Sequence, residues 1–213
     1  MDDKSDRLAH LEVIKKIEQT YKVETSSEKI LSQLETYIRF FAEKRAKRWI
    51  KSKSLFLDSF KNILGLEIDP DWFMKIYYDA HKRCCKLFPY AKQVLKDVKE
   101  MGWYLGLISD IDDEYLYFQL GEFSISEDIF DSITTSDAVG VGKPTPLIFK
   151  TALDKCGGEP KVAFYIGDSL DKDIKGAKRM GMRTIWFKGN KHEDADYVIS
   201  QLNEIPLILS NEG

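Results

Sequence analysis

Five side chains stand where apolar runs give way to polar ones, and their types suit work on an anionic, oxygen-rich group. Ser109 and Asp110 follow the run Leu105-Gly106-Leu107-Ile108. A hydroxyl and free backbone N–H groups at a strand end can grip a phosphoryl or carboxylate oxygen, although both residue types also serve there as plain helix caps. Lys143 lies in Gly142-Lys143-Pro144, just before a helical stretch over 145–153. Glycine permits a tight turn, proline starts the helix and the lysine is a fixed cation; a surface lysine in a turn reads as readily. Asp168 and Asp173 belong to Gly167-Asp168-Ser169-Leu170-Asp171-Lys172-Asp173-Ile174-Lys175-Gly176-Ala177, which follows an apolar run over 162–166. Asp168 at the strand end and Asp173 one helical turn later can face one point. A hard divalent ion such as Mg²⁺ takes such oxygens, with waters and a substrate phosphate completing its shell. The plain alternative is acidic residues drawn to a helix N-terminus by its dipole.

The elements that must position these groups follow from periodicity. Residues 1–87 carry a 3.6-residue period and almost no strand pattern. Leu8, Leu11, Ile14, Ile17 and Tyr21 mark one helix, and Thr25-Ser26-Ser27-Glu28 reads as a capping box for a second bearing Ile30, Leu34, Tyr37 and Phe41. Trp49, Phe56, Phe60 and Ile63 mark a third, stopped by Gly65. Asp69-Pro70 gives an N-cap and first-turn proline for a fourth, with Phe73, Ile76, Tyr77 and Ala80. Residues 88–213 alternate helix and strand, with strands expected at 103–108, 132–135, 162–166, 183–187 and 197–199. Helices of that spacing imply parallel pairing and right-handed crossovers. The expected class is therefore α/β, a helical domain at 1–87 and a doubly wound parallel sheet at 88–213, with ligands beyond the strand C-termini.

Composition excludes several functions. Lys and Arg number 32 against 35 Asp and Glu, a net charge of −3, which gives no support to a nucleic-acid partner. The apolar runs are too short to span a bilayer, and the polar, acidic start is no signal peptide, so a cytoplasmic location and no membrane partner are expected. Three cysteines, two of them adjacent, make a poor disulfide framework and read as reduced and structural. His81 and His192 read as lone structural or exposed histidines, and no Cys/His spacing suits zinc. The basic run over 39–53 reads as a solvated helix face before it reads as an anion-attracting one.

Taken in order, Ser109, Lys143 and the Asp168/Asp173 segment resemble the haloacid dehalogenase-like (HAD) hydrolase superfamily. So do the lead-in from Phe88-Pro89-Tyr90 to Gly102 and the segment Phe130-Asp131-Ser132-Ile133-Thr134-Thr135-Ser136, the latter similar to the phosphoglycolate phosphatase-like and haloacid dehalogenase-like subgroups. The resemblance covers nearly the whole chain. It implies an all-helical cap inserted over an α/β core and a small phosphorylated metabolite as substrate. It makes Ser109 and Lys143 catalytic, Ser109, Asp110 and Lys143 phosphate-binding, and Asp168 and Asp173 ligands of Mg²⁺. Family alternatives are a 2-haloacid dehalogenase, which needs no metal, and a non-catalytic phosphate- or partner-binding relative.

One family part has no counterpart. The first motif, an apolar strand ending in Asp-x-Asp, supplies the nucleophile and lies at the centre of the sheet between the strands of Ser109 and Asp168. Asp2, Asp3 and Asp6 follow no apolar strand and do not replace it. A shortened chain is the expected explanation, and the chain as given is expected to be inactive. Loss of that strand should leave two strand edges with unpaired N–H and C=O groups, each costing about 1–3 kcal/mol when buried. Asp110-Ile111-Asp112 mimics the motif, but using it so leaves only Thr134 or Thr135 for the Ser/Thr position.

Overall fold

The computed structural model describes residues 3–212, so Met1 and Asp2 of the acidic start lie outside it. The described chain divides into two compact units, one built from 3–45 and 50–88, the other from 46–49 and 89–212. The first contains four helices, α1 (Asp3–Tyr21), α2 (Ser27–Lys47), α3 (Ser52–Leu64) and α4 (Pro70–Cys84). Their inward faces are apolar: Val13, Ile14 and Ile17 from α1, Ile30, Leu31 and Leu34 from α2, Leu55, Phe56 and Phe60 from α3, and Phe73, Tyr77 and Ala80 from α4. Leu8, expected inward, is exposed, because the buried stripe of α1 runs through Ala9 and Val13 instead. Gly65 ends α3 in the left-handed conformation, donating its N–H to the Lys61 carbonyl at 2.9 Å. The Asp69 side chain accepts from the Trp72 N–H at 2.8 Å, with Pro70 in the first turn of α4.

The second unit runs α5 (Ala91–Glu100), β1 (Gly106–Ser109), α6 (Asp113–Glu122), β2 (Ser132–Thr135), the single turn α7 (Ser136–Val139), α8 (Pro146–Cys156), β3 (Phe164–Gly167), a π-helical turn (Leu170–Ile174), α9 (Lys175–Arg179), β4 (Arg183–Phe187), β5 (Tyr197–Ile199) and α10 (Ile205–Ser210). Every strand pairing is parallel, with Ser109 opposite Thr135, Gly167 opposite Trp186 and Phe187 opposite Ile199. The sheet is in two pieces, β1–β2 and β3–β4–β5. One apolar cluster continues beneath both: Ile148, Phe149 and Leu153 of α8 pack with Tyr165 of β3, Ala177 and Met182, and Ile108 of β1 joins at its edge. Gly176 permits this approach, since a Cβ there would stand 2.6 Å from the buried Phe149 ring.

The break falls between the strands that carry Ser109 and Asp168, where the resemblance places the missing strand. Among the described residues β1 hydrogen-bonds only to β2, and β3 only to β4. Burial follows the break: Ile166 of β3 is 38% exposed and Ile108 only half-buried, while Ile185 of β4 is fully enclosed.

Other differences from expectation are local. Trp49 does not belong to α3. It sits in the 46–49 segment of the α/β unit, where its N–H donates to the Gly140 carbonyl at 2.7 Å and its indole to Asp112 at 2.8 Å. Pro146, rather than Pro144, occupies the first turn of α8. The strand expected at 162–166 begins at Phe164, because Val162 closes a short 3₁₀ turn and is exposed. None of the three cysteines forms a disulfide, and burial, with Glu12 adding to it, pushes the Cys84 thiol up to about 11, so it stays protonated and inert. Among the described residues no helix is long and apolar enough to cross a membrane.

Candidate active site

Near the C-terminal ends of β1 and β3, Asp110, Lys143 and Asp173 join one hydrogen-bonded array. Asp110, directly after β1, accepts through Oδ1 from the Ser136 hydroxyl and from the Lys143 backbone N–H, both at 2.8 Å. Its Oδ2 lies 3.6 Å from the Lys172 ammonium. One carboxylate thus ties the end of β1 to the start of α7 and to the Lys143 turn. The turn is further fixed by the Gly142 N–H and the Thr145 hydroxyl, which donate to the Ala46 carbonyl at 3.0 and 2.8 Å.

From that clamp Lys143 reaches the end of β3. Its Nζ donates to Asp173 Oδ1 at 2.6 Å and to the Tyr165 hydroxyl at 3.2 Å, and that hydroxyl donates to the same Asp173 oxygen at 3.1 Å. Asp173 Oδ2 accepts from the Ser169 N–H at 3.0 Å. Both oxygens of Asp173 therefore have protein partners. The Lys143 and Asp173 side chains are only 12% and 6% exposed. Gly167 makes room for the pair, because a Cβ there would stand 2.4 Å from Asp173 Cβ. Burial works against the Lys143 ammonium, yet Tyr165, Asp173 and Asp110 together hold its pKa above the usual lysine range. Burial raises the Tyr165 hydroxyl as well, against the pull of Lys143, so it remains a neutral donor.

Two expected residues point their polar groups at no protein partner. The Ser109 hydroxyl is half-buried and makes no hydrogen bond among the described residues. Asp168 is exposed; its backbone carbonyl accepts from the Trp186 indole at 2.9 Å, and its carboxylate has no hydrogen bond or ion pair among the described residues. An exposed carboxylate without a protein partner is chemistry a hard cation accepts. Asp112, the second acid of Asp110-Ile111-Asp112, is buried against the Trp49 indole. That pair of acids is thus spent on hydrogen bonds within the unit.

Sequence reasoning missed Tyr165, Ser136 and Lys172. Tyr165 looked like an ordinary strand aromatic, and nothing local distinguishes a tyrosine whose hydroxyl meets an ion pair from one that only packs. It also missed a second cluster, in the helical unit, where His81, read as a lone histidine, converges with Asp6 and His10.

Known proteins share the family and the fold. The family described as haloacid dehalogenase-like hydrolase matches residues 8–187. The glyceraldehyde 3-phosphate phosphatase of Pyrococcus furiosus is 34% identical over 161 residues, 70% of this chain and 67% of that protein. Its counterpart from Pyrococcus abyssi is 35% identical over 60% of this chain and 55% of its own length, so the chain spans little more than half of that relative. Among solved structures, the magnesium-bound HAD-hydrolase YfnB of Bacillus subtilis superposes with a TM-score of 0.77 over 99% of this chain and 96% of its own, at 19% identity. With a family match over most of its length, a four-helix cap unit and a parallel α/β core, the chain belongs to the haloacid dehalogenase-like hydrolases.

Proposed function

We propose that the chain is the cap, residues 1–87, and the core, residues 88–213, of a Mg²⁺-dependent phosphatase acting on a small phosphorylated metabolite. The array Asp110–Lys143–Asp173, with the Ser109 hydroxyl and Asp168 carboxylate left open beside it, carries the reading. The glyceraldehyde 3-phosphate phosphatase activity of the two Pyrococcus relatives and the magnesium in YfnB support it. Ser109 and the N–H groups after β1 hold phosphoryl oxygens. Lys143, fixed from both ends, offsets negative charge on the transferring group. Asp110 positions Lys143 by its backbone. Asp168 offers Mg²⁺ its open oxygens, and Asp173 contributes to the same centre mainly through its grip on Lys143. The ion, bound there, supplies positive charge to the phosphoryl oxygens.

The family's aspartate nucleophile has no equivalent among the described residues. The 213-residue chain should therefore show no Mg²⁺-dependent turnover of p-nitrophenyl phosphate or glyceraldehyde 3-phosphate. A version carrying an apolar Asp-x-Asp strand ahead of α1 should show it, and Asp168→Asn or Lys143→Ala in that version should lower kcat by about 10²–10³-fold. Turnover by the unextended chain that Asp110→Asn abolishes would overturn the assignment of roles. Phosphate and Mg²⁺ binding without turnover in the extended protein would instead make it a binding relative.

A further inference from the structure

The helical unit holds a cluster with ligand chemistry that the phosphatase reading does not use. Asp6 and His10 lie four residues apart on α1 and so share a face. His81 comes from α4, which packs along α1. An Asp6 carboxylate oxygen and one ring nitrogen from each histidine lie within 4.8 Å of one another.

The hydrogen bonding fixes what each atom offers. His81 is 1% exposed, and its Nδ1 stands 2.8 Å from the Tyr77 carbonyl. A carbonyl only accepts, so Nδ1 carries the hydrogen. Nε2 then meets Asp6 Oδ1 at 3.2 Å, and two acceptors at that distance need positive charge between them, from a second ring proton or from a metal ion. His10 favours the metal. Its ring is enclosed by Phe56 and Tyr77, with centroids 5.0 and 6.1 Å away, and its Nε2 is buried with no hydrogen-bond partner. Its Nδ1 is 3.9 Å from Asp6 Oδ2, too far for a hydrogen bond. A proton on His81 leaves both nitrogens of the buried His10 ring without a hydrogen bond, whereas a metal ion beside Asp6 and His81 takes one of them as a ligand.

We propose that Asp6, His10 and His81 form a structural site for a borderline divalent ion of the Zn²⁺ kind, which joins α1 to α4. Ligand atoms of a tetrahedral site with bonds near 2.0–2.1 Å lie about 3.3 Å apart, close to the His81–Asp6 spacing. Two imidazoles and one carboxylate suit Zn²⁺ and its neighbours, while Mg²⁺ takes oxygens. The Tyr77 carbonyl supplies the outer hydrogen bond that orients a ligating histidine. Asp6 is 40% exposed, which gives a water room in the fourth position and the ion a way in.

The test is a Co²⁺ titration of the chelator-stripped 213-residue chain, followed by visible absorption. One Co²⁺ per chain should give the intense bands of a four-coordinate site, displaced by equimolar Zn²⁺ and not by excess Mg²⁺. Zn²⁺ should also raise the Tm. Asp6→Asn and His10→Gln should each weaken Co²⁺ binding at least about tenfold with the far-UV circular dichroism retained. Asp168→Asn should leave the spectrum unchanged, which separates this site from the proposed phosphatase centre. The proposal fails if no Co²⁺ stays bound through gel filtration, or if Asp168→Asn removes the spectrum while Asp6→Asn and His10→Gln keep it. Should either of those variants not fold, the other decides.

Discussion

At the scale of single residues, the site depends on Lys143 being held from both ends. Its backbone N–H is fixed by Asp110 and its ammonium by Asp173 and Tyr165, so the charge needs no reordering when an anionic group arrives. The same arrangement makes Lys143 structurally costly to replace. Lys143→Met leaves the Asp173 carboxylate buried with only neutral donors, a loss of about 3–5 kcal/mol. Chemical denaturation should show it as a lower midpoint, and the double variant Lys143→Met/Asp173→Leu should recover part of the loss. A double variant no more stable than Lys143→Met alone would refute the pairing argument. The types of these residues were legible from their places at strand ends. Their bonds were not: Asp110 and Lys143 are 33 residues apart, Lys143 and Asp173 are 30, and sequence spacing says nothing about contacts at that range.

At the scale of elements, short pieces are locked by side chains at their ends. β4 and β5 are three to five residues long, and the chain end beyond α10 returns to them. Arg183 of β4 donates through Nη1 to Glu212 at 2.6 Å, and the Tyr197 hydroxyl of β5 donates to the same carboxylate. The Arg183 hydrogen bond first, and the Tyr197 bond second, pull Glu212 from 4.5 down to about 2. A carboxyl with a depressed folded pKa binds fewer protons than in the unfolded chain, so its stabilisation is complete above pH 4.5 and is lost as pH falls towards 2. Protection of α10 amides, relative to the intrinsic exchange rate at each pH, should therefore fall from pH 4.5 to 2 more than that of α8 amides, and Glu212→Gln should remove the difference. An equal fall in both helices would contradict it. Helix boundaries at Gly65 and Asp69-Pro70 were readable because capping is decided within one turn. Trp49 was misplaced because its apolar character fitted the period of α3, while its indole had a distant partner in Asp112.

At the scale of the whole molecule, the divided sheet dominates. Two strands that carry the site, β1 and β3, each have an unbonded edge, and the apolar side chains beside the break are partly wet. Such edges are templates for added strands. The 213-residue chain should bind an apolar fluorescent dye, and the strand-extended version should bind less and melt at a higher temperature. Equal dye binding and equal Tm would mean that the break closes without a strand. The sequence by itself determined the class of each half, because periods of 2 and 3.6 are local properties that burial imposes on neighbouring residues. It also placed Ser109 and Asp168 at strand ends and Lys143 in a turn before a helix, and the lack of an apolar Asp-x-Asp strand foretold the break. Only the tertiary structure decided that Asp173 grips Lys143, that Asp110 is a clamp, and that His10 and His81 meet across two helices 71 residues apart. Those partnerships are set by how helices and strands pack, and packing joins residues whose order along the chain carries no record of the meeting.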